Sequence, residues 1–437
     1  MDVASARISK DFLSKYVVIL VGALVMCYWY YFNENNALLY YGILLNIILV
    51  HKLKNSKILQ LVFLFMLTYL LNLIPYFSYG INIAYYEPYA RKELFESVLF
   101  LHVLFLFVLY LFIGNKVNKN KETLIGKVNM KDNLMLYGIS IAVMSFILAA
   151  GKTGHNLTES IGKGPQLTEG LAINEYFLVF TFVAYVFSGN QRFRNAIILI
   201  LSVLYIAKNT IAEGRIESLQ LIILLFVLYV DKKRISNVLF WIGTLVGYSL
   251  MSVFEKVRIG TVSFYKIGEN GSPYLESNQG DVFYSSSVYV GLVKENIFND
   301  SFRLHSFIGY IERIFLPSKF AASEANVSLY SKSYTPSGGG GLISAYFYVW
   351  LSYIGVVLIA VFLAWIINKL YITKNPYFLF YIIMVVVTFP RWFAYDPITL
   401  FKLTSYGVII FFGFMQLDLM LNKYNRKIAG RMALNQL

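Results

Sequence analysis

The 437-residue chain holds one cysteine, four histidines and nine prolines, and only 14% of its residues are charged. A lone Cys27 inside an apolar run excludes a disulfide framework and a cysteine-built metal site. The histidines (His51, His102, His155, His305) are dispersed without ligand spacing, so no metal site is expected, although carboxylates alone can hold Mg²⁺. A Walker loop, a glycine fingerprint opening a helix, an H-E-x-x-H helix and a nucleophile elbow are all missing. Those absences remove the sequence support for nucleotide, metalloprotease and serine-hydrolase chemistry, and no cofactor is expected. No polar stretch is long enough to form an independent soluble domain.

What is present is apolar. Hydrophobic residues make up 58% of the chain and aromatics 17%, and the mean hydropathy is +0.60. Apolar runs of roughly 17–25 residues recur from end to end, the length that crosses a bilayer core. The pattern predicts an all-α polytopic integral membrane protein forming a single domain over 1–437. About twelve spans are expected: 16–32, 37–51, 58–78, 97–114, 133–151, 173–188, 195–211, 216–230, 236–254, 341–367, 376–390 and 399–420. The first follows a charged segment, and no small-residue cleavage site follows it, so it reads as a span and not a signal peptide.

Basic residues choose the side. Lys52, Lys54 and Lys57, then Lys232, Lys233 and Arg234, then Lys423, Arg426, Lys427 and Arg431 all fall on the face that carries both termini. Short segments on the opposite face are sparser in Lys and Arg, which predicts cytoplasmic termini. The net charge of +14 is scattered between spans. Topology and anionic lipid account for it, and no nucleic-acid partner is expected.

Residues 255–340 stand out as one long extracytoplasmic loop among short ones, a placement that usually carries function. Within it, SFRLHSFIGYIERIFLP has helical periodicity. Phe307, Ile308, Ile311 and Phe315 share one face, and Arg303, Ser306, Tyr310 and Arg313 share another. The expectation is an interfacial helix, apolar side down, with both arginines turned to water or headgroups.

Five arginines then fall on the outer face: Arg215 in the turn between spans 7 and 8, Arg258 after span 9, Arg391 at the end of span 11, and Arg303 and Arg313. A basic residue at a span end also serves as a snorkelling anchor. Guanidinium, however, grips phosphate in a bidentate fork and never deprotonates, which suits an anionic lipid headgroup. Gly338, Gly339 and Gly340, with Gly341, either offer backbone N–H groups to an anion or sugar or act as a hinge. Tyr334, Tyr346, Tyr348 and Trp350 can stack on sugars, the last three also reading as interface anchors. Glu213, Asp281, Glu295, Glu312, Glu324, Asp396 and His305 are the outer candidates for a general base, none singled out by pairing.

Several segments, in order, resemble the oligosaccharide repeat-unit polymerases, the Wzy-type O-antigen and enterobacterial common antigen polymerases. They are E-G-R at 213–215 opening a span, F-E-K-V-R at 254–258, I-F-L-P-S-K at 314–319, Y-T-P-S-G-G-G-G-L-I-S-A-Y-F at 334–347, and P-R-W-F at 390–393. The resemblance covers roughly 205–410 and rests on order and sidedness. It implies a metal-independent glycosyltransferase, a helical bundle of the C type, in the bacterial cytoplasmic membrane with its site facing the periplasm. Its substrates would be undecaprenyl-pyrophosphate-linked glycans for O-antigen or a related polysaccharide. Its partners would be membrane lipids, a chain-length regulator and a flippase. Arg215, Arg258 and Arg391 would be the functional arginines, with Arg303, His305, Arg313, Tyr334, Gly338, Gly339 and Gly340 on the substrate.

Three other readings stay open. A lipid-linked glycan ligase would use the same donor and a different acceptor. A transporter or flippase would instead carry charges along a path inside its spans. A membrane scaffold would need no convergent arginines.

Overall fold

The computed structural model describes residues 3–32, 35–83, 88–114, 128–151, 173–211, 215–230, 236, 238–247, 265–267, 273–275, 277–316, 326–335, 340–370 and 372–434. It is helical apart from one antiparallel hairpin, Tyr265–Ile267 with Pro273–Leu275. The helices are α1 Val3–Phe32, α2 Asn35–Lys52, α3 Lys57–Leu71, α4 Ile74–Tyr79, α5 Lys92–Phe112, α6 Leu134–Ala150, α7 Tyr176–Phe187, α8 Arg192–Ile211, α9 Arg215–Leu225, α10 Val238–Gly247, α11 Asn278–Lys294, α12 Asp300–Phe315, α13 Val327–Ser331, α14 Ile343–Lys369, α15 Pro376–Val387, α16 Phe389–Ala394 and α17 Ile398–Leu434.

Each of the twelve apolar runs carries an apolar helix among the described residues. Five of these are long and apolar enough to cross a membrane: Lys57–Tyr79, Lys92–Phe112, Arg192–Thr210, Ile343–Lys369 and Ile398–Asn425. The others are shorter, so length alone does not make them spans.

The chain divides into two compact units, each built from several stretches of sequence. The first takes Met1–Asn120, Ser236–Asn368 and Trp392–Pro397. Its interior lies among α2, α3, α5 and α11. The stretch 392–397 is set into it: Phe393 is fully buried, edge-on to Tyr69 with ring centroids 5.3 Å apart.

The region expected to be loop around one helix contains two more, α11 and the short α13. Every residue of α11 from Val282 to Leu292 is buried. Three serines sit there, and two hide their hydroxyls against backbone: Ser286 donates to the Val282 carbonyl at 2.8 Å, and Ser287 to those of Tyr284 at 2.7 Å and Tyr89 at 2.8 Å. The end of α11 is clasped to the start of α5. Arg91 and Tyr89 both donate to Glu295, at 2.7 and 2.9 Å. Burial first, and that hydrogen bond second, push the Tyr89 phenol up to about 12.

The second unit takes Lys121–Ile235, Lys369–Arg391 and Ile398–Leu437. Helix α7 is its centre, buried along nearly its whole length. Lys131 pairs with Asp418 at 2.6 Å, and Asn133, the N-cap of α6, donates to the same carboxylate at 2.9 Å, tying α6 to α17. Helix α8 shows how one face is chosen: its buried positions are Ile198, Ser202, Tyr205 and Asn209, spaced three and four residues apart, with apolar Ile200, Val203 and Leu204 exposed. That is the reverse of a soluble amphipathic helix and fits one that meets lipid.

Candidate functional site

In the second unit, three chain segments converge on one guanidinium. Arg391 lies in α16, Glu175 is the N-cap of α7, and Glu217 lies in the first turn of α9. Arg391 Nε stands 3.3 Å from Glu175 Oε1, and Nη1 stands 3.0 Å from Glu217 Oε1. None of the three is sealed off: the side chains are 34%, 26% and 16% exposed for Arg391, Glu175 and Glu217.

Beneath this triad lies a polar layer. Tyr205 donates to the Asn174 carbonyl at 3.0 Å, the Asn174 amide donates to Asn209 Oδ1 at 2.8 Å, and the Asn209 amide donates to the Tyr205 carbonyl at 2.9 Å. Tyr205 also sits in the field of Glu217, Glu175 and Arg391. Lys208 closes one side, donating to the carbonyls of Leu148 at 2.6 Å and Gly151 at 3.2 Å, which are free because α6 ends there.

In the first unit, α12 presents its arginines inward. Ser306, Gly309, Tyr310 and Arg313 are the buried positions, while Leu304, Ile308, Ile311 and Phe315 are exposed. The expectation that Arg303 and Arg313 face water or headgroups is therefore corrected. Arg313 pairs with Asp396 at 3.3 Å, and the neighbouring Tyr310 hydroxyl donates to the Pro397 carbonyl at 3.0 Å. Both contacts anchor the helix to 396–397, and polar groups so engaged sit in protein more cheaply than unpaired ones.

Arg303 serves a break in α14. Leu351 and Ser352 are non-helical there, with Ser352 at φ 54°. That conformation costs a serine about 1–3 kcal/mol. The break interrupts the i→i+4 ladder, and Arg303 supplies donors to the exposed ends: Nε to the Val349 carbonyl at 2.6 Å, Nη2 to the Tyr348 carbonyl at 3.5 Å and to Ser352 Oγ.

The tyrosines and tryptophan at the start of α14 are likewise internal, apart from the half-buried Tyr348. Tyr346 is buried and donates to the Tyr395 carbonyl at 2.7 Å, and Trp350 is buried and donates to Ser306 Oγ at 3.0 Å. Neither is an interface anchor or an open stacking platform. Gly340 and Gly341 are small because of close approach. A Cβ on Gly340 would lie 2.8 Å from the Tyr395 Cα, and one on Gly341 would run into the Tyr289 ring.

The remaining expected residues fall as follows. Arg215 is the first residue of α9, two positions before Glu217. The structure thus brings the first turn of α9, through Glu217, against Arg391. Arg258, Gly338 and Gly339 lie outside the described residues. His305 is exposed, its Nδ1 3.0 Å from the Ser301 carbonyl, and Tyr334 is exposed with its hydroxyl 3.5 Å from that of Tyr330. Among the described contacts, neither His305 nor Tyr334 meets an arginine of its unit. Glu175 and Glu217 were not among the carboxylates picked out in the sequence. The available signal was their position at span ends on the expected outer side, the criterion that selected Arg215 and Arg391. Among the described residues, no three His, Cys, Asp or Glu side chains gather as a metal ion would require.

Comparison with protein-family models, curated proteins and solved structures finds no match for this chain.

Proposed function

We propose that the chain is a polytopic membrane glycosyltransferase with about twelve spans and cytoplasmic termini. It would join polyprenyl-pyrophosphate-linked oligosaccharide repeat units at the outer face of a bacterial cytoplasmic membrane. The observation that carries this reading is the cluster of Arg391 with the first turn of α9, where Arg215 begins the helix. Two segments more than 170 residues apart, each selected for an outer arginine, meet there.

In this scheme a hydroxyl of one lipid-linked unit attacks the anomeric carbon of a chain held on a second polyprenyl pyrophosphate. The glycosyl–phosphate bond breaks and its electron pair stays on the departing pyrophosphate. Fixed guanidinium groups stabilise that growing charge more than they stabilise the ground state. Arg391 is committed to two carboxylates, which leaves Arg215 and Arg258 to meet the pyrophosphate.

The experiment is polymerisation by purified protein in nanodiscs, with a polyprenyl-pyrophosphate-linked repeat unit as sole substrate and products resolved by gel. Wild type should give a ladder of lengthening glycans, and Arg215→Ala, still folded, should lose it. A well-folded wild type that gives no ladder turns the assignment towards a ligase or transporter.

A further inference from the structure

The triad around Arg391 offers a ligand carboxylate oxygens as well as a guanidinium, and all three side chains are partly exposed. Such a mixed set of acceptors and donors suits a hydroxyl-rich ligand.

Polar groups beside it lack partners. Gln220 lies three residues after Glu217, hence on the same face of α9 one turn inward, and is fully buried. Neither of its amide atoms has a hydrogen-bond partner. The side-chain oxygen of Asn174, next to Glu175, is also buried without one. A buried amide with no partner costs about 1–3 kcal/mol, so such groups point to something that completes them. Glu217 spends Oε1 on Arg391, and no described group donates to its Oε2.

Resting on the polymerase reading above, we propose that Glu175, Glu217 and Arg391 form the subsite for the acceptor sugar, and that Glu217 is its general base. Arg391 holds the carboxylate in place by one oxygen, and the other faces the incoming hydroxyl. In the transfer, the acceptor O–H bond breaks and its proton passes to Glu217 Oε2. The new O–C bond forms at the anomeric carbon as the C–O bond to pyrophosphate breaks. Glu217 then returns the proton to outer water. Gln220 and Asn174 position the sugar or the water beside it. Glu175 is a positioning residue that keeps Arg391 from swinging away.

The test uses the full-length protein in nanodiscs with the lipid-linked repeat unit. Glu217→Gln should slow chain growth by about 100-fold or more, the scale of a lost general base. Because removing a partner of Arg391 could disturb the fold, Glu217→Ala is assayed with added formate as well. Formate should restore growth in Glu217→Ala and do nothing for Arg215→Ala. Wild-type growth in Glu217→Gln, or a loss in Glu217→Ala that formate does not reverse, overturns the base while leaving the polymerase standing. No ladder from wild type overturns the polymerase reading and the acceptor subsite with it.

Discussion

An arginine's sequence position says little about which of its two habits it will show, snorkelling to a headgroup or capping bare carbonyls. Arg303 illustrates the difference. Its guanidinium sits against the break in α14, and only its contact with Asp300 is in solvent, where that carboxylate is 97% exposed and the pair adds little. The cap is different, because helix carbonyls released at Leu351–Ser352 lose their intrahelical partners. Charge-assisted hydrogen bonds of this kind are worth roughly 1.5–3 kcal/mol each. Arg303→Ala should therefore destabilise the protein by about 2–4 kcal/mol, seen as a lower melting temperature in detergent. Arg303→Lys should recover only part, since one ammonium cannot span the same three acceptors. An unchanged melting temperature with weakened lipid binding would instead make Arg303 a headgroup ligand. The choice was illegible in the sequence because its acceptors lie 45 to 49 residues away, at a break whose one nearby signal is Gly355, where a Cβ would run into the Phe347 carbonyl.

At the scale of elements, periodicity found α12 and its two faces, and missed only that the arginine face meets protein instead of water or headgroups. The rule that apolar means inward holds in water. Beside a bilayer both sides of a helix can be apolar surroundings, and the polar face goes wherever its partners are. On α12 those partners are Asp396 and the Pro397 and Val349 carbonyls, so Leu304, Ile308, Ile311 and Phe315 are left outward. An outward face of four large apolar residues fits seating in the lipid interface. This can be read directly, because Cys27 is the only native cysteine. On a Cys27→Ser background, a bimane label at Ile308→Cys should be quenched by nitroxide lipids and spared by aqueous iodide. The opposite pattern would put α12 in water. Helix α11 escaped notice for the complementary reason: buried on all sides and dotted with back-bonded serines, it has no contrast between faces for a periodicity to register.

For the whole molecule, the apolar runs were legible one by one, and each carries a helix among the described residues. Their grouping was not. The chain passes between its two units at 120–121, 235–236, 368–369, 391–392 and 397–398, and the polar links at 115–121 and 231–235 look no different from the links within a unit. Contacts between distant segments decide them, and a single sequence does not record such contacts. Sidedness is a separate expectation, drawn from Lys and Arg alone. It is also what the proposed function depends on, since lipid-linked glycans are taken to meet the enzyme at the outer face. Lys332, beside α13, and Lys374, before α15, are both exposed, and the expected topology sets them on opposite sides of the membrane. With Cys27 replaced by serine, Lys332→Cys should react with a membrane-impermeant maleimide in intact spheroplasts, and Lys374→Cys only after permeabilisation. Reversed labelling would turn Arg215, Arg391, Glu175 and Glu217 to the cytoplasm. A nucleotide-sugar donor would then be the nearest supply of activated sugar, and the absence of any nucleotide motif would count against glycosyl transfer.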